Sequence, residues 1–148
     1  MNRTLTLKPY YQGLLMGIET FSAYQKRAFT AEQAQCCEEI LQQFEQFKLE
    51  TAHAIEAAEQ PLPSGLPLYQ AVLAGCTSFR IQRIADATTF SRKSAQDYLK
   101  GLEMMEKYLQ KYQDHLSAQW LALVIQQIQQ TYTLGDELGL LTLDPLQS

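Results

Sequence analysis

The chain has 148 residues, of which 46% are hydrophobic and 19% charged, with a formal net charge of −4. That balance suits one globular domain spanning 1–148, large enough to bury a core without staples. Scattered Lys and Arg on an acidic chain predict no nucleic-acid partner, and no apolar run approaches the roughly 20 residues that a membrane helix needs.

The first helix is predicted from about Pro9 to Phe29. Proline suits an opening helical turn, and Tyr11, Leu14, Ile18 and Phe21 repeat at helix-packing spacing. Gly13 and Gly17 share one face and would permit a close helix neighbour. A capping box opens the second helix: Thr30 accepts from the backbone three residues on, and Gln33 reaches back to the Thr30 amide. Its predicted core face is Cys37, Ile40, Leu41, Phe44, Thr51 and Ile55, running to about Gln60. Pro61-Leu62-Pro63-Ser64-Gly65-Leu66-Pro67 then separates two helical halves.

Tyr69, Val72, Leu73, Cys76 and Phe79 predict a shorter helix reaching about Ala85. Between Asp86 and Ser94, the candidate caps Thr88, Thr89, Ser91 and Ser94 predict a turn or kink. Tyr98, Leu102, Met105, Leu109, Tyr112 and Leu116 then alternate four and three apart. At about 100° per residue they fill an arc of about 80°, a helix-bundle seam. The last helix starts near Ser117, uses Trp120, Leu121, Val124 and Ile128, and frays around Gly135 and Gly139. Residues 140–148 read as a tail containing Pro145. The expected architecture is all-α: an up-down four-helix bundle with a short extra helix or kink before the third long helix.

Three cysteines, Cys36, Cys37 and Cys76, are an odd number without Cys-x-x-Cys spacing. They read as free thiols of a reducing compartment, so a cytoplasmic location is expected, and Met1–Pro9 lacks the apolar segment of a secretion signal. One constellation has metal-ligand residue types. Glu50 and His53 are three apart on one helix, and Glu19 or Glu106 from facing helices would add carboxylates. Measured from the core face, however, Glu50 sits about 105° round the helix and His53 about 165°. His115 reads as a helix-terminal residue beside Asp114.

In the order and spacing of Leu14–Ala28, Leu41–Ile55, Leu102–Tyr108, Tyr112–Leu116 and Ile125–Ile128, the chain resembles the ferritin-like superfamily. It is most similar to the small bacterial four-helix proteins grouped as a ferritin-like domain of unknown function. The resemblance implies a bundle of paired helical hairpins. Of the family's iron or manganese ligands it carries over Glu19, Glu50 and His53, while the position of a last-helix histidine falls near Gly135.

Three functional readings follow. The first is a non-catalytic bundle without cofactor that forms a homo-oligomer, such as a dimer, or binds another protein, with Phe47, Leu49 and Trp120 offering surface contacts. The second is a stress-related metal oxidoreductase using iron or manganese held by Glu19, Glu50, His53 and Glu106. The third is a small-ligand carrier whose tyrosines, with Met104 and Met105, line a cavity between helices.

Overall fold

A computed structural model describes residues 4–141, and all regular structure among them is helical. Five helices follow one another: α1 (Thr4–Arg27), α2 (Ala31–Ala57), α3 (Leu68–Gln82), α4 (Ala87–Tyr112) and α5 (Ala118–Glu137). Helix α1 packs against α2, α3 and α4, and α5 packs against α4 and α2. Four helices therefore close a ring in the order α1, α2, α5, α4, and α3 lies outside it on α1.

Side-chain pairs give the directions. Tyr10 meets Tyr108 and Tyr24 meets Asp97, so α4 runs antiparallel to α1. Gln70 lies near Pro9 while Gln82 donates to the Ala23 carbonyl, so α3 runs parallel to α1. The shorter helix expected from Tyr69 to about Ala85 is thus a separate helix, α3, while the turn or kink expected over 86–94 is instead the Asp86 cap and the first turns of α4. Helix α3 carries the chain back along the molecule, so that α2 and α4 point the same way.

Local chemistry explains most boundaries. The Gln33 amide donates to Thr30 Oγ1 at 3.0 Å, the first half of the expected capping box. The reciprocal half differs: Gln33 Oε1 accepts from the Phe29 amide, not that of Thr30. The same carboxamide donates to the Ala87 carbonyl and Ser91 Oγ at 2.9 Å, which draws it across towards α4. Helix α4 is capped by Asp86, one turn before the predicted caps. Its side chain accepts from the Thr89 amide at 2.7 Å, and those hydrogen bonds hold its carboxyl below the usual range. Ser117 caps α5 through the Trp120 amide, as the spacing predicts.

Pro9 is not in an opening turn, because α1 begins at Thr4 and includes it. A proline this close to the start removes one hydrogen bond while the first-turn carbonyl it crowds still has room to tilt. Two helices end in the same reversal. Leu140 donates to the Gly135 carbonyl and Gly139 to Asp136, with Gly139 at φ +73°. Gln60 donates to Ile55 and Glu59 to Glu56, with Glu59 at φ +57°. Each is a Schellman closure, built once on glycine and once on a residue that pays for its Cβ. The expected fraying at Gly135 does not occur. Gly135 is buried inside α5, where a Cβ would lie 3.0 Å from the Tyr98 ring. Leu140, placed in the tail by sequence, is buried as well, and 142–148 fall outside the described residues.

The core joins residues of every helix. Phe21, Tyr24, Phe47, Phe90 and Tyr98 are its largest fully enclosed aromatic side chains. Phe47, expected at the surface, is 0% exposed, and Trp120 is buried too, whereas Leu49 is exposed. Phe47 stands three residues after Phe44 and four before Thr51, so it continues the buried stripe of α2. Leu41, placed in that stripe by sequence, is only half-buried.

Candidate functional site

The middle of the four-helix ring holds a polar network whose one carboxylate is that of the half-buried Glu50. Gln127 of α5 is fully buried there, and its Oε1 accepts from the Tyr10 hydroxyl of α1 at 2.6 Å. Its Nε2 faces Thr51 Oγ1 and Glu50 Oε1 at 3.2 Å and the Phe47 carbonyl at 3.4 Å, all on α2. One turn on, the Thr131 hydroxyl donates to the Gln127 carbonyl at 2.8 Å. Tyr98 of α4 donates to the Thr131 carbonyl at 2.7 Å. Every ring helix thus gives at least one member to a satisfied network, which favours one register over slipped alternatives. Burial pushes the Tyr10 phenol well above its ordinary pKa, helped by Tyr108 and Glu50, so it remains a hydrogen-bond donor at neutral pH.

The four candidate metal ligands are spread around this centre. Glu19 and His53 are exposed, and Glu50 is half-buried at the edge of the α2 core face. The two Glu50 oxygens accept from Gln127 and Gln46. Glu106 accepts from the Tyr132 hydroxyl of α5 at 3.1 Å. Among the described residues, no group of three or more His, Cys, Asp or Glu side chains is placed to hold a metal ion. His115 is exposed in the turn after α4. Cys37 is buried and Cys36 half-buried, while Cys76 is exposed. Desolvation raises the Cys37 thiol to about 12, with a smaller contribution from Cys36, so it stays protonated and unreactive.

Sequence reasoning passed over Gln127 and Thr131, although a signal existed. Trp120, Val124, Gln127 and Thr131 follow one another at spacings of four, three and four. Two polar residues on an apolar stripe therefore mark buried hydrogen-bonding groups.

Two surfaces remain open to other molecules. Between α1 and α4 lies a groove of about 760 Å³. Gly13 on one wall and Gly101 on the other line it, and a Cβ at either would meet nothing within 4 Å. Tyr10, Tyr108 and Tyr112 form a row at one end, with successive ring centroids 4.9 Å apart. The second surface is α3. Its apolar stripe, expected to pack inwards, faces outwards: Leu68 is 83% exposed, Tyr69 65%, Val72 57%, Leu73 51% and Phe79 61%. Only Ile81 of this helix is buried.

No protein-family model matches the chain, and neither a curated protein nor a solved structure matches it significantly.

Proposed function

We propose that this protein is a non-catalytic, ferritin-like helical bundle that acts by self-association, two copies joining through the outward face of α3. The observation carrying this reading is that apolar stripe. Leu68, Val72, Cys76 and Phe79 recur on one side of a helix that packs chiefly on α1. Burying an exposed apolar face of this kind lowers the free energy of the molecule.

A second copy fits the charge pattern. Residues 60–85 contain no Asp or Glu, and their two cations, Arg80 and Arg83, lie at the C-terminal end of α3. An antiparallel, two-fold pairing sets each arginine end beside the partner's Leu68 and Tyr69 and keeps the arginines apart. It also opposes the two helix dipoles. The ferritin-like part of the reading is supported by the single long crossover that joins two antiparallel helical pairs, the connection such folds use. The non-catalytic part is supported by the central network, whose polar groups satisfy one another.

Sedimentation velocity across a wide concentration range tests the reading. The expected result is a reversible dimer that Val72→Glu converts to a monomer without changing its helical content. A wild-type protein that stays monomeric at the highest concentration, or a Val72→Glu protein as dimeric as wild type, would overturn it.

A further inference from the structure

We propose that the α1–α4 groove is a binding site for a single-chain anionic amphiphile, a long-chain carboxylate whose tail lies along the open space beside Gly13 and Gly101 and whose head meets the α4 lysines. Its volume of about 760 Å³ falls within the range of small-ligand sites. Helices in contact normally fill the space between them with side chains. Here Gly13 and Gly101 leave that space empty along both walls, and an unbranched chain is the shape that fits it. Met104, 64% exposed beside Gly101, supplies a flexible apolar cover that adapts to such a tail.

Charge decides which kind of amphiphile. Lys100, Lys107 and Lys111 line the groove against Asp97 and Glu103, a local excess of one positive charge on a protein of net charge −4. Lys100, Met104, Lys107 and Lys111 follow at spacings of four, three and four, so the three cations share one face of α4. Lys107 is paired with Glu103 at 2.9 Å. Asp97 accepts from the Tyr24 hydroxyl at 2.5 Å. Lys100 and Lys111 are left as the cations for an incoming head, Lys111 standing 5.2 Å over the Tyr112 ring at the tyrosine end. The α1 wall opposite contributes Pro9, Tyr10, Met16 and Thr20 with no charged side chain to the lining, so nothing there repels an anion. Gln70 of α3 also lines the groove, but the binding proposed here does not require the protein to dimerise.

Isothermal titration calorimetry with laurate, and with dodecyltrimethylammonium as the cation of the same chain length, tests the assignment. The expected result is saturable laurate binding at one per chain, with the cation at least about tenfold weaker. Gly101→Leu, which fills open space within α4, should lower laurate affinity about tenfold or more without lowering the ligand-free melting transition. The double variant Lys100→Ala/Lys111→Ala changes only exposed positions. It should weaken laurate by a similar factor without weakening dodecyltrimethylammonium. Absence of saturable laurate binding, equal binding of the two amphiphiles, or wild-type laurate affinity in the double variant would each overturn the site. Sedimentation of wild type and Gly101→Leu alike with phosphatidylglycerol vesicles, without laurate binding, would replace it with adsorption to an anionic surface.

Discussion

Helices α2 and α3 both carry an apolar stripe at helical spacing, yet they meet opposite fates. In α2, Cys37, Ile40, Phe44, Phe47, Thr51 and Ile55 are all at most 7% exposed, whereas five large apolar residues of α3 are each more than half exposed. The two helices differ in what surrounds them. Helix α2 lies between α1 and α5, so its whole stripe is enclosed, while α3 packs chiefly on α1. Amphipathic spacing states that a face needs cover. The number of neighbours decides whether the cover comes from the same chain.

The sharpest way to break that comparison is to truncate one aromatic in each helix. Phe47→Ala should cost about 4 kcal/mol of unfolding free energy, the scale of a large cavity in a core. Phe79→Ala should stay within about 0.5 kcal/mol in protein diluted below any dimerisation, as at an open surface site. Urea melts at two protein concentrations separate the cases. A Phe79→Ala cost near that of Phe47→Ala in dilute protein would mean that α3 is covered within the single chain.

A smaller effect probes the polar network that joins α2 to α1 and α5. Gln127→Ala leaves the Tyr10 hydroxyl and Thr51 without their shared partner and should cost about 2–3 kcal/mol by the same melts. Wild-type stability in this variant would mean that water or a rearranged side chain replaces the carboxamide.

The smallest effect concerns how α2 ends before the chain turns towards α3. Glu59 adopts the left-handed conformation that Gly139 adopts after α5. Glu59→Gly should therefore raise stability by about 0.5 kcal/mol, and Gly139→Ala should lower it by about 1 kcal/mol. Thermal melts that moved in the same direction for both would contradict the shared backbone geometry.

Much of the helical layout is legible in the chain. Thr30 and Ser117 start helices by local hydrogen bonds, and the Pro61–Pro67 stretch lies between α2 and α3 as expected. These succeed because a cap involves atoms within three residues of each other. The seam in α4 is legible in its first half, where Tyr98, Leu102 and Met105 are buried. Its second half is less enclosed: Leu109, Tyr112 and Leu116 are half-buried, and α4 has already ended at Tyr112 when the chain reaches Leu116. The helical wheel likewise turns His53 to solvent and Glu50 to the core edge, where the structure has them.

Other features needed the packed molecule. The outward turn of α3 depends on which helix it meets, and no local spacing records that. Burial of Phe47 and Trp120 reflects neighbours far away in sequence. The groove exists because Gly13 and Gly101, 88 positions apart in the chain, line two walls of one cleft. Sequence by itself determined an all-helical chain, its caps and the stripes that demand cover, since these follow from backbone hydrogen bonding and a period of about 3.6 residues. Only the tertiary structure decided which stripe is covered and which is left open, because burial is a property of pairs of surfaces and the chain encodes each surface singly.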